Sequence, residues 1–403
     1  MRIVTVEDVF FPESGYQINI LAKHMVALGH EVIIITSEYE KVPFVLTSFF
    51  GSENISERDR HYEVETGVKV IRVPIHTYYS GRSIYKSGMF KLIDSLNPDI
   101  LYVHGEDTFL GIRSLLRYRR FAYPVIFDDH MTYIASVNPL APMFGWGYRT
   151  FIAPIIRRND IIVIRTLNDD YVTRHLGIPE DLAPYIGFGS DLMTFFPDKN
   201  SRKECREELR VGIDDFVFVY AGKMDESKGG LLLAEAIKER IQGSRKRAVF
   251  LIVGTLSAIN SEYSEKVGKI LKTSENRLIM IPTQPFTSLA KYYQCADVAL
   301  FPRQCSLSFF DVQACGLPVI FEDNSINAMR MGYNNAKVFK SGNVEDFRGK
   351  MLDMLNMTDS DLNDMRVASR EYVVKNYDYS RITASYLEQI DKAIKQYWER
   401  VKR

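Results

Sequence analysis

The chain has 403 residues, 46% hydrophobic and 12% aromatic, which is enough apolar material for two or three sizeable cores. Its 51 Lys and Arg balance 51 Asp and Glu, so a whole-molecule electrostatic attraction for nucleic acid is excluded. The four cysteines, Cys205, Cys295, Cys305 and Cys315, lack the short paired spacing of a zinc site and suit free thiols in a reducing compartment.

At the N-terminus a single basic residue, Arg2, precedes an apolar stretch that Glu7 and Asp8 interrupt, too short and too charged for a signal peptide. No segment has the length and apolarity of a membrane span, so the expected location is the cytoplasm, with peripheral attachment at the inner face of the plasma membrane as a further reading. Strand-sized apolar runs follow at Ile3–Val6, Val32–Ile35, Val70–Val73, Ile100–Val103, Val125–Phe127 and Ile161–Ile164. Between the first two, Ile18, Leu21, Ala22, Met25 and Leu28 recur at helical spacing, and Gly29 supplies a left-handed stop. Strand, loop and helix make a Rossmann-like opening without a glycine triad, which gives no support for a nicotinamide cofactor.

After a linker at 187–198, a second series begins with Phe216–Ala221, Val249–Val253, Leu278–Ile281, Val298–Phe301 and Pro318–Phe321. Beyond Asn343 the pattern is helical, and Tyr386, Ile390, Ile394 and Tyr397 share one face of a last long helix. The expected fold is α/β, with two doubly wound Rossmann-like domains facing across a cleft, at 1–190 and 191–378, and a helical extension at 379–403 returning toward the first domain. Lys223 and Lys228 fall between the first strand of the second series and a helix predicted to begin near Gly229. A helix start with two ammonium groups suits a diphosphate; the competing reading is a solvated turn with surface lysines.

Several short pieces lie along the chain: Phe11-Pro12-Glu13-Ser14-Gly15, Gly29-His30-Glu31-Val32, Tyr123-Pro124-Val125-Ile126 leading to His130, and Gly187-Phe188-Gly189-Ser190-Asp191. The 222–230 segment, Ala296-Asp297-Val298 and Gln313-Ala314-Cys315-Gly316-Leu317-Pro318 follow them. In order and spacing, this set resembles retaining GT-B glycosyltransferases of family 4. The resemblance implies transfer of a sugar from a nucleoside-diphosphate donor to a hydroxyl of a glycan or lipid-linked saccharide, with no metal and no cofactor, in surface polysaccharide biosynthesis. It places Gly15 against the donor, His130 beside the transferred sugar, and Lys223 and Lys228 on the diphosphate, where Lys223 stands for a more usual arginine. Ser306 and Leu307 fall where backbone amides meet the diphosphate, and Asp311 where a glutamate holds the ribose hydroxyls.

Arg303 takes the position of the family's first glutamate, and answers either a carboxylate or phosphate of the donor or a structural ion pair. The lost acid keeps open a catalytically impaired paralogue acting as a binding or scaffold subunit; a nucleotide-sugar epimerase is a further alternative. Met143, Phe144, Trp146, Phe151, Arg157 and Arg158 mix apolar and basic groups, readable as core with a charged edge or as a face for anionic lipid.

Overall fold

The computed structural model describes residues 1–47, 50–131, 140–168, 170–243, 246–256, 261–303, 305–324, 327, 330, 332 and 334–402. The chain divides into two compact units, one of Met1–Pro12, Gln17–Phe188 and Ser380–Arg403, the other of Glu13–Tyr16 and Gly189–Tyr379.

The first unit is built on strands β1 (Arg2–Val6), β2 (Glu31–Ser37), β3 (Lys69–Val73), β6 (Ile100–His104), β7 (Val125–Asp129) and β8 (Val163–Arg165), with a hairpin of β4 (Ile75–Tyr79) and β5 (Arg82–Tyr85) beside them. The six strands pair in parallel in the order β3-β2-β1-β6-β7-β8. Helices must cover both faces of such a sheet, which is why its central strands are apolar throughout rather than alternating. Val4, Val6, Ile33, Ile35, Leu101, Val103, Val125 and Phe127 form its core with side chains from the covering elements. The hairpin was not anticipated in the sequence. It turns through Ser80 and Gly81, both at positive φ (51° and 81°), the conformation that two-residue hairpin turns require.

The second unit repeats the plan with β9 (Asp215–Ala221), β10 (Arg247–Val253), β11 (Arg277–Ile281), β12 (Val298–Phe301), β13 (Val319–Glu322) and β14 (Ala336–Phe339), in the order β11-β10-β9-β12-β13-β14. Five of these match predicted strands. The sixth, β14, was missed because only Phe339 of its four residues is fully buried, so the edge strand carries no apolar run. Phe216, Phe218, Phe250, Leu300 and Ile320 fill its core, with the Phe218 and Phe250 rings stacked at 5.2 Å.

From Ser380 onward the last helix, Tyr379–Val401, belongs to the first unit. Its Tyr386 hydroxyl accepts a hydrogen bond from the Gln17 amide, its Tyr397 hydroxyl donates to the Phe121 carbonyl at 2.9 Å, and the Arg400 guanidinium lies 4.6 Å from the centre of the Tyr118 ring.

In both sheets the crossovers reverse direction between two central strands, β1 and β6 in one and β9 and β12 in the other. The loops leaving those strands diverge there, and the gap they leave is where open parallel sheets hold ligands. Two glycines shape this edge in the second unit. Gly222 and Gly254, at the ends of β9 and β10, have φ of +151° and +141°, and a Cβ on Gly254 would lie 2.0 Å from the Gly222 carbonyl oxygen. Neither backbone can yield without breaking the strand ends, so Gly254→Ala is expected to destabilise the second unit by roughly 3 kcal/mol. A chemical denaturation curve superimposable on that of the unmodified chain would refute this.

Candidate active site

The switch-point loops carry most of the residues selected from the sequence. In the second unit the loop after β9 folds on Asp225, whose carboxylate accepts from the Lys228 amide at 3.0 Å and the Ser227 hydroxyl at 2.7 Å. The Asp225 carbonyl accepts from the Gly230 amide, so the chain enters the helix Gly230–Ala236 directly after Lys228. Gly229 holds φ +73°, and a Cβ there would press on Arg303 Cβ at 3.1 Å and the Pro302 carbonyl oxygen at 3.2 Å. A glycine therefore lets the loop after β9 close on the loop after β12.

This closure gathers cations. Lys228 is partly buried, and its pKa is lowered first by desolvation and further by Arg330 and Lys223, with Asp225 opposing. Arg330 was not singled out in the sequence. Its Nη1 donates to the Cys305 and Ser306 carbonyls, each at 3.1 Å, and its guanidinium lies 5.5 and 5.3 Å from the Phe309 and Phe310 ring centres. The Cys305 amide donates to Asn327 Oδ1 at 3.0 Å, whereas the Ser306 and Leu307 amides have no acceptor among the described residues. Lys223, Lys228, Ser306 and Leu307 are thus brought to the same pair of loops, as the sequence suggested. The Arg303 side chain is exposed, and its Nη1 donates to the Glu226 carbonyl at 2.7 Å, which braces the loop that carries Lys228.

Two predicted residues have surroundings the sequence did not foresee. Asp311 points into the unit: it is 2% exposed, accepts from the Ser190 hydroxyl at 2.7 Å, and has its pKa pushed up to about 8, chiefly by burial with a contribution from Asp191. Gly15 belongs to the second unit, where a Cβ would fall 2.0 Å from the Phe286 ring, and the Glu13 carbonyl accepts from the Phe286 amide at 3.0 Å. The absent side chain at Gly15 is therefore required by an aromatic neighbour.

In the first unit His130 follows β7 and joins a buried network that the sequence indicated only through its neighbours. Its Nε2 lies 2.9 Å from Asp128 Oδ2 and 2.8 Å from His104 Nδ1, while its Nδ1 lies 3.2 Å from the Thr166 hydroxyl. Phe188 stacks on the ring at 5.6 Å. Asp128, without solvent exposure, also accepts from the Tyr102 hydroxyl and from the Gly105 amide at 3.1 Å. Burial opposes its ionisation, but His104 and His130 outweigh it and hold the carboxyl far below its ordinary range. The balance for His104 is similar: burial lowers its pKa, but the Asp128 and Glu7 carboxylates push it up to about 9. Asp128 is accordingly the fixed anion that positions both imidazoles and favours the charged form of His104.

Two family models match this chain, Glycosyltransferase Family 4 over residues 15–188 and Glycosyl transferases group 1 over residues 215–357. It is 26% identical over 189 residues to a D-inositol 3-phosphate glycosyltransferase of Segniliparus rotundus, covering 45% of this chain and 40% of that protein. A lipopolysaccharide 1,2-N-acetylglucosaminetransferase of Salmonella typhimurium is 29% identical over 115 residues, covering 28% of this chain and 30% of its own length. The chain thus spans less than half the length of these relatives. The structure of Anabaena Alr3699/HepE in complex with UDP and glucose superposes with a TM-score of 0.67 over 97% of this chain and 100% of that one, at 13% identity.

The His104 linkage has a defined pH signature. Its folded pKa of about 9 exceeds the ordinary 6.5, so its stabilisation is complete below about pH 6.5 and disappears as the pH rises through 9. Unfolding free energy should fall across that window by roughly 3 kcal/mol at most, and His104→Gln should flatten the decline. A flat profile in the unmodified protein would exclude the charged imidazole. Through its two matched halves and its paired Rossmann-like units, this chain belongs to the group 1, family 4-like glycosyltransferases of the GT-B fold.

Proposed function

We propose that the protein transfers a sugar from a nucleoside-diphosphate donor to a hydroxyl of a glycan or lipid-linked saccharide, with retention of anomeric configuration, in the assembly of a surface polysaccharide. The observation that carries this reading is the cationic cluster at the switch point of the second sheet, where Lys228 lies among Lys223, Arg330 and the loop that bears the Ser306 and Leu307 amides. Partial burial makes an ammonium group there costly unless an anion joins it, and a diphosphate supplies that anion. As the glycosidic bond breaks, its electron pair passes to the diphosphate oxygen, where positive charge stabilises it without a divalent ion. The acceptor hydroxyl forms the new bond on the same face of the sugar and gives its proton to that departing oxygen, so no protein nucleophile or base is needed.

In the first unit, His130 is the group proposed to meet the sugar, its orientation fixed by Asp128, His104 and Thr166. Asp311 is proposed to act on the ribose side through Ser190 rather than by open contact. For the acceptor, the first unit holds a cavity of about 860 Å³ whose walls include Leu140, Met143, Phe144 and Phe151, with Arg82 and Asp107 as its charged members. Met143, Trp146 and Phe151 are each more than half exposed, an apolar fringe that favours peripheral contact with lipid. Among the described residues no helix is long and apolar enough to cross a membrane.

One observation favours a second reading, a binding or scaffold subunit: Arg303 stands where a carboxylate would face the sugar and is engaged with the Glu226 carbonyl instead. Nucleotide release from a panel of uridine, guanosine and adenosine diphosphate sugars, with and without glycan acceptors, separates the two. For the transferase, Lys228→Ala should lower turnover by roughly 10² or more. Unchanged turnover in that variant would remove Lys228 from the chemistry, and donor binding without turnover in the unmodified protein would favour the scaffold.

A further inference from the structure

We infer that the first unit binds one oxygen-preferring divalent cation between Glu106, Asp107 and Asp129, at the ends of β6 and β7 and separate from the His104–Asp128–His130 network. One oxygen from each of the three carboxylates lies within 4.8 Å of the others, close enough for a single ion to bridge them. The loop that presents Glu106 and Asp107 is tied by backbone and capping hydrogen bonds. Gly105 takes φ +81°, the Glu106 amide donates to the Asp128 carbonyl at 3.2 Å, and Thr108 caps the helix Phe109–Arg117 by accepting from the Gly111 amide at 2.9 Å. Gly111 packs so closely that a Cβ would lie 2.3 Å from the Gly105 carbonyl oxygen.

Acidic residues often gather without an ion, but this group has unmet valences that a surface cluster lacks. Glu106 has no solvent exposure, and neither of its buried carboxylate oxygens meets a donor among the described residues. Asp129 uses Oδ1 to accept from the Met131 amide at 3.0 Å, and its buried Oδ2 likewise meets no donor among them. Independently, the Tyr148 hydroxyl, on a side chain only 2% exposed, has no partner among the described residues, and the carboxylates of Glu106, Asp107 and Asp129 are the charges that act on it most strongly. Four buried oxygens without a hydrogen-bonding donor or partner among the described residues carry a desolvation cost that a coordinated ion would lower.

The charge count agrees. Three carboxylates against the single guanidinium of Arg82, whose Nη2 lies 3.2 Å from Asp107 Oδ1, leave two negative charges when all are ionised. The neighbouring His104–Asp128–His130 group offers no such vacancy, because its anion is already shared by two imidazoles. An entry route exists, since Asp107 and Tyr148 also line the 860 Å³ cavity. The ion envisaged here fastens β6 to β7 and takes no part in sugar transfer.

The test uses the full chain after chelator treatment, titrated separately with MgCl2, CaCl2 and MnCl2 by calorimetry and followed by thermal melting. One saturable site per chain for at least one of these ions, with a rise in melting temperature of roughly 5 °C near saturation, is expected. Glu106→Gln and Asp129→Asn should each weaken binding by at least about tenfold, and Tyr148→Phe, which keeps every carboxylate, should weaken it measurably with the fold intact by circular dichroism. Absence of saturable binding for all three ions would overturn the inference in favour of a shared proton. Binding unchanged in Glu106→Gln and Asp129→Asn would overturn it by placing the ion elsewhere.

Discussion

All twelve strands of the two large sheets run parallel to their neighbours, and this constraint organises the chemistry. Parallel strands end on the same edge of their sheet, and a crossover that reverses direction leaves two central loops with no element between them. In the second sheet those loops carry Lys223 and Lys228 on one side and Arg303, Ser306 and Leu307 on the other. In the first, the loop after β6 carries Glu106 and Asp107, and the adjoining end of β7 carries Asp128 and Asp129. The candidate site residues are thus carried on loops held by strands buried on both faces.

The two edges carry opposite electrostatics. The second unit presents Lys228 near Arg330 and Lys223, whose charge and the burial of the site disfavour its ammonium against the opposing Asp225. The first unit presents buried carboxylates, and its two acidic groups solve the problem differently. Asp128 is paired with His104 and lies within hydrogen-bond distance of His130 Nε2 and the Tyr102 hydroxyl, which makes it a fixed reference for His130. Among the described residues Glu106 and Asp129 form no ion pair of their own, the nearby Arg82 guanidinium being bound to Asp107. The last helix supports the first arrangement from behind, because Tyr386 packs 6.1 Å from Tyr102, the residue that donates to Asp128.

Much of the fold was legible because buried parallel strands leave continuous apolar runs, and Val125–Phe127 and Phe216–Ala221 are clear examples. The β4–β5 hairpin and β14 were not, since their residues are largely part-exposed and their alternation is weak; for the hairpin, the Ser80-Gly81 pair was the available signal. Lys223 and Lys228 could be found from their placement between a strand and a helix start. Arg330 could not, as it lies in an aperiodic stretch and acquires its role only when the fold brings it over Phe309 and Phe310. His130 was visible after its strand, whereas its dependence on His104, 26 residues earlier, is a property of the pairing of β6 with β7. Asp311 shows the limit of positional matching: its short side chain keeps its carboxyl on Ser190, inside the unit.

In the function proposed above, the cationic switch point of the second sheet receives a nucleoside diphosphate. Calorimetric titration of the unmodified protein with uridine, guanosine and adenosine diphosphates and their sugars addresses it most directly, at two salt concentrations to expose the charge contribution. Saturable one-to-one binding of at least one nucleotide, weaker at the higher salt, is the predicted result. No heat of binding from any of them would contradict the assignment of that edge as the donor site.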